Sequence, residues 1–84
     1  MPHFSRRLST QEGNLTFYFN RIVTAGGTRY HVSVIDSRRK MQIFHFNEEG
    51  TKWKLLSPES CPPWILALEN ILATEIIKHI TEGD

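Results

Sequence analysis

The sequence predicts an α+β domain in which a four-stranded antiparallel meander is followed by one long C-terminal helix packed across one face (ββββα). Three observations predict it. Residues 15–56 alternate apolar and polar side chains with the period of two of a half-buried strand. Three turn-like breaks in that stretch, at Gly26-Gly27, Asp36 to Lys40 and Glu49-Gly50, keep the apolar residues on a single face. After Ser57-Pro58-Glu59-Ser60 the period changes to that of a helix.

Residues 1–13 are polar and contain Pro2 and Gly13, which predicts a flexible N-terminal arm and leaves 14–84 as a single α+β domain. The first strand then places Leu15, Phe17, Phe19 and Val23 on one side, interrupted by Arg21, which is expected at a bulge or at the sheet margin. Gly26 and Gly27 suit a two-residue hairpin loop because glycine reaches positive φ at no steric cost. That loop pairs Val23 with Tyr30 and Phe19 with Val34. A turn centred on Arg38 pairs Val32 with Phe44 and Tyr30 with Phe46, and a Glu49-Gly50 loop pairs Phe46 with Trp53 and Phe44 with Leu55. The predicted inner face is therefore Phe17, Phe19, Val23, Tyr30, Val32, Val34, Phe44, Phe46, Trp53 and Leu55.

Pro62 and Pro63 fit the first turn of a helix, where a missing N–H does no harm, with Ser60 or Cys61 near the N-cap and Gly83 after the end. The helix is expected over roughly Pro62 to Thr81. At about 100° per residue, Leu72, Ile65, Ile76, Ile80, Ala73, Leu66 and Ile77 share one sector, and Trp64, Leu68 and Ile71 form a second flank with Glu75 and His79. A helix that covers one sheet needs an apolar stripe only somewhat wider than ~100°. This one has apolar surface to spare, and an 84-residue domain buries only about 60 to 65% of its unfolded surface. Both points lead to the expectation of a homodimer.

No apolar run approaches the ~18 residues of a membrane span. Arg6 and Arg7 are followed by no apolar stretch, so no signal peptide is expected. The single cysteine, Cys61, has no internal disulfide partner, which predicts a reducing, cytoplasmic setting. The formal net charge of +1 is unevenly spread: residues 1–58 hold nine Lys and Arg against four carboxylates, whereas 59–84 hold Lys78 against five. The sheet is basic and the helix acidic.

The outer face of the sheet is predicted to carry Tyr18, Asn20, Ile22, Thr24, Arg29, His31, Ser33, Ile35, Met41, Ile43, His45, Asn47, Lys52, Lys54 and Leu56. In this register His31 stands opposite His45, Lys54 lies across from His45, and Ile22 lies across from His31. Two imidazoles with no third ligand and a lysine beside them make a poor cation site, so no metal is expected. Cys61 reads as a small buried thiol, and Trp53 and Trp64 as core fillers between sheet and helix. Glu69, inside the apolar arc, reads as the edge of an interface or the partner of a basic residue before it reads as a functional carboxylate. With no glycine-rich phosphate loop, no Ser-His-Asp arrangement and no carboxylate pair at strand ends, the chain is expected to be neither an enzyme nor a cofactor binder.

Two binding functions remain. Arg29, Lys52 and Lys54, with the Arg38-Arg39-Lys40 turn, can neutralise phosphates, while Tyr18, His31 and His45 offer flat surfaces to bases, so the first expectation is binding of single-stranded DNA or RNA on the outer face. The order of four strands followed by one long helix is similar to a Pur repeat and, more distantly, to the Whirly-type single-strand binders. Such units commonly pair in those families, which implies a dimer; the likeness is one of architecture and carries no site residues. The alternative is a homodimerising protein-interaction domain with no nucleic-acid role, its interface built from Ile35, Met41 and Ile43 with Leu56, or from Trp64, Leu68 and Ile71.

Overall fold

Strand-like alternation extends closer to the N-terminus than the sequence predicts. The computed structural model describes residues 3–82. It contains a five-stranded antiparallel sheet in the order β1-β2-β3-β4-β5, with β1 His3–Thr10, β2 Gly13–Thr24, β3 Gly27–Ile35, β4 Met41–Glu49 and β5 Lys52–Leu55. The class is α+β, with a helix after the sheet, but the strands number five and not four. The segment expected to be a flexible arm forms β1, paired with β2 from His3↔Asn20 to Thr10↔Gly13. Phe4, Arg6, Leu8 and Thr10 alternate with the more exposed His3, Ser5, Arg7 and Ser9. The cause is local. Thr10 Oγ1 donates to Gly13 O at 2.7 Å and accepts from Glu12 N–H at 2.9 Å, while Gly13 takes φ 105, a conformation glycine adopts without strain. Met1, Pro2 and Gly83, which entered the sequence expectations, lie outside the described residues.

The same device closes the next hairpin. Thr24 Oγ1 donates to Gly27 O at 2.9 Å, Gly27 takes φ 127, and the loop is Ala25-Gly26, not Gly26-Gly27. The positive φ belongs to the residue after the loop, which slips the register by two: Val23 faces Thr28 and Phe19 faces Val32. The β4–β5 loop is likewise Gly50-Thr51, which sets Phe46 opposite Leu55 and Glu48 opposite Trp53. Between β3 and β4 the register is as expected, with Tyr30↔Phe46 and Val32↔Phe44. A slip of two leaves every side chain on its own face.

Nine of the ten predicted inner-face residues are buried; Val23 is 72% exposed. It lies with the exposed Arg21 near the tip of the β2–β3 ribbon, and Arg21 sits in an unbroken ladder opposite Tyr30, with no bulge. The expected long helix is divided. A 3-10 turn at Pro58–Ser60 leads to α1, Pro63–Leu66, and α2, Glu69–Thr81, separated at Leu68 (φ −96, ψ 0). There the Leu68 N–H bonds Ile65 O, tightening the turn so that Ile65 and Leu68 both enter the core. It also places Glu69 where its Oε2 accepts the Leu55 N–H at 2.9 Å. Glu69 thus closes a backbone donor on the edge strand β5.

Toward its other end α2 reaches β1. The Phe4 ring stacks on Phe19 at 4.4 Å and on His79 at 3.9 Å and meets Tyr30 edge-on at 5.9 Å, while Arg6 Nε bonds Glu75 Oε1 at 3.0 Å. The buried helical face is Ile65, Leu68, Leu72, Ile76 and His79, which leaves Leu66, Ile71, Ile77 and Ile80 exposed. Among the described residues no helix is long and apolar enough to cross a membrane.

Replacing Phe4 by Ala removes a ring in contact with three others and is expected to cost about 3 kcal/mol of stability. Urea denaturation of Phe4→Ala against the parent chain checks this, and an unchanged midpoint would show that the Phe4 ring contributes nothing to the core.

Candidate nucleic-acid interface

The face turned away from α2 is built by strand parity alone. Register lines up His3, Asn20, His31 and His45 in one row across β1 to β4, Ser5, Tyr18, Ser33 and Ile43 in the next, and Ile22, Arg29, Asn47 and Lys54 across β2 to β5. The expected opposition of His31 and His45 is present, their ring centroids 4.9 Å apart and tilted by 60°. Two expected neighbours differ because of the two register slips: Lys54 stands opposite Asn47, not His45, and Asn20, not Ile22, stands opposite His31.

Tyr18 is 53% exposed toward the β3–β4 end of this face, and β1 extends the sheet beside it without covering it. Arg29, Lys52 and Lys54 are exposed on the same side, and His31 and His45 are half-buried. Strand β1 brings Arg7 and His3 to this face, residues the sequence reading left in an arm. The signal that could have found them is the Thr-x-x-Gly spacing of Thr10 and Gly13, repeated at Thr24 and Gly27. Arg7, Arg29, Lys52 and Lys54 are accompanied on this face by one strand carboxylate, Glu49, at the β4–β5 turn opposite Lys52.

Arg38 and Arg39 lie off the face, at the β3–β4 turn. That turn is rigidly held: Asp36 Oδ1 accepts the N–H groups of Arg38 and Lys40 at 2.9 Å each, and Oδ2 accepts Gln42 Nε2 at 3.1 Å. The Lys40 N–H foremost, then the Gln42 amide and the Arg38 N–H, lower the Asp36 pKa from its ordinary value. Arg39 takes left-handed backbone with φ 64, and Ser37 Oγ donates to Glu12 Oε1 at 2.6 Å, tying the tip to the β1–β2 turn. The three cations of the tip are exposed on a fixed loop.

The apolar candidates separate. Ile35, Met41 and Ile43 are 53%, 60% and 54% exposed and adjoin Tyr18 through Ile35↔Met41 and the row of Tyr18, Ser33 and Ile43. Trp64 is half-buried against the core and Ile71 is 47% exposed, but Leu68 is 6% exposed and belongs to the core, so the second flank of the helix is not one continuous outer surface. Burial, with Glu59 and Glu69 nearby, raises the Cys61 thiol above its ordinary pKa, the opposite of what a nucleophile needs. Among the described residues, no three His, Cys, Asp or Glu side chains gather so as to hold a metal ion. No protein-family model, curated protein or solved structure matches the chain.

Burial, then His31 and then Arg29, hold the His45 imidazole below the usual histidine pKa of 6.5. A depressed histidine pKa means that the folded chain binds this proton less readily than the unfolded one, so the contribution to stability is present above pH 6.5 and is lost as pH falls through the folded value. His45→Gln is expected to flatten that acid-side loss. Denaturation midpoints of both chains across this window test it, and parallel pH profiles would refute it.

Proposed function

We propose that the outer face of the sheet binds single-stranded nucleic acid without catalysis. The observation that carries this reading is the combination of an uncovered face bearing Arg7, Arg29, Lys52 and Lys54 against a single strand carboxylate, Glu49, with an exposed Tyr18 beside Arg7 toward the β3–β4 end of that face. Cations and an aromatic ring on one sheet face are the elements of a surface that tracks phosphates while bases stack on side chains, and base–aromatic stacking tolerates any sequence. The imidazoles of His31 and His45 add flat surface beside Tyr18, and the Arg38-Arg39 tip extends the cationic surface past the end of the sheet. The chain would then act as a small binding module, and its sequence preference would be weak.

Titration of a labelled single-stranded oligonucleotide at two salt concentrations is the test. Binding is expected to weaken with salt, and Lys52→Ala with Lys54→Ala to reduce the salt slope by about 1.4 if each lysine neutralises one phosphate. Tyr18→Ala should weaken binding by about 1–3 kcal/mol at either salt concentration. Absence of binding at low salt would end the proposal.

A second reading is favoured by the patch of Tyr18, Ile35, Met41 and Ile43, each more than half exposed and contiguous on one end of the face. Apolar surface of this kind on a small domain suits a protein partner, here a second copy of the chain. Sedimentation at high micromolar concentration should then show a dimer that Ile43→Glu dissociates; a monomer in the parent chain removes this reading.

A further inference from the structure

Where β5 ends, the chain makes a small half-open cleft on the edge of the outer face. Leu56 N–H donates to His45 O at 2.9 Å, and Ser57 then adopts left-handed backbone (φ 49, ψ 55) that turns the chain into the 3-10 turn at Pro58–Ser60. Between that turn and β4 lies a cavity of about 240 Å³ lined by Arg29, His45, Ser57 and Ser60, with Ile43 and Leu56 as apolar wall. Among the described residues the ion pairs are Arg6 with Glu75 and Lys78 with Glu75, so neither Arg29 nor the two histidines has a carboxylate in ion-pair reach. Glu59, on the same turn, is exposed and does not line the cavity, although with Glu69 it acts on the Cys61 thiol, which does line it.

We propose that this cavity receives the terminal phosphate of a nucleic-acid strand lying on the outer face, an assignment that rests on the function proposed above. A terminal phosphate carries about −1.5 to −2 charges and three acceptor oxygens, whereas an internal phosphodiester carries one charge. The donor set suits the former. A guanidinium presents a planar fork to two phosphate oxygens, and two serine hydroxyls can supply further donors. The volume falls below the roughly 300–1,000 Å³ of drug-sized ligand sites, which suits a single headgroup better than a whole nucleotide. Burial, then His31 and Arg29, lower the His45 pKa, and an anion placed among them opposes the part due to the two cationic neighbours. Lys54 and Asn47 continue from Arg29 along the same row, so a strand anchored here by its end has cationic surface beside it.

The test uses one oligonucleotide in three forms, 5′-phosphorylated, 3′-phosphorylated and unphosphorylated, together with inorganic phosphate as an amide-resonance probe. One end-phosphorylated form should bind about tenfold tighter than the unphosphorylated strand, the difference expected from one charge-assisted contact. Arg29→Gln should erase that preference, while Lys52→Ala, outside the cavity, should weaken all three forms equally. Inorganic phosphate should shift the amides of Arg29, His45, Ser57 and Ser60. Equal binding of the three forms overturns the terminal-phosphate site and leaves the outer-face reading standing. If no form binds while inorganic phosphate still shifts those amides, the nucleic-acid reading falls and the strand-end assignment falls with it.

Discussion

Everything in this fold depends on a period of two that is never broken. Side chains of a strand alternate between faces, so a turn that changes register by an odd number would exchange core and surface over the whole length of the next strand. Each hairpin keeps Phe17, Phe19, Tyr30, Val32, Val34, Phe44, Phe46, Trp53 and Leu55 on the side that α2 covers. The outer face is the complement of that set. Its histidines, its tyrosine and its cations stand together because the core residues between them point the other way.

This explains which parts of the fold are legible in the sequence. Face assignment survives at almost every position of β2 to β5, since it depends only on parity. Pairing partners are less legible, because they depend on whether a glycine occupies the loop or follows it, and here Gly27 follows a loop that the Gly26-Gly27 pair had suggested it formed. β1 was missed because Arg6 and Thr10 occupy two of its four inward positions. Arg6 is acceptable there since Glu75 is within 3.0 Å, a partner 69 residues away that no local pattern reveals. The break at Leu68 is hidden for a similar reason: the apolar spacing runs through it, and only the Leu55 N–H explains why Glu69 turns where it does. Val23 looked like core because alternation says which side a residue faces and not how far the helix reaches.

The electrostatics of the site follow the same division. Two acidic residues of the helical half are engaged inward or at an edge, Glu75 with Arg6 and Lys78 and Glu69 with a backbone donor. Lys52 and Lys54 share a groove with Glu69 between β5 and α2, whereas among the described residues Arg29 has no helical carboxylate as an ion-pair partner. Of the sequence candidates, Tyr18, Arg29, His31, His45, Lys52 and Lys54 share one face because they share a parity, whereas Arg38 and Arg39 belong to a loop whose position no alternation specifies. The alternation marks Ser57 to Ser60 only as the place where the period changes, and the cleft this turn forms beside His45 depends on the left-handed backbone at Ser57.

The contact between β1 and α2 also bears on the order in which the chain assembles. The β1–β2 hairpin is local and can form as soon as its residues exist, but Phe4 gains His79 and Arg6 gains Glu75 only once α2 is available, 69 or more residues later. Closing so long a loop carries an entropy cost that local pairing does not. Until α2 docks, a ribbon of aromatic rings on the inner face stands open to water. The second half of α2 is therefore the lid on β1, and a chain cleaved before Glu75 would keep Ile65, Leu68 and Leu72 on the sheet but leave Phe4 and the rings beside it uncovered on the side that most readily aggregates.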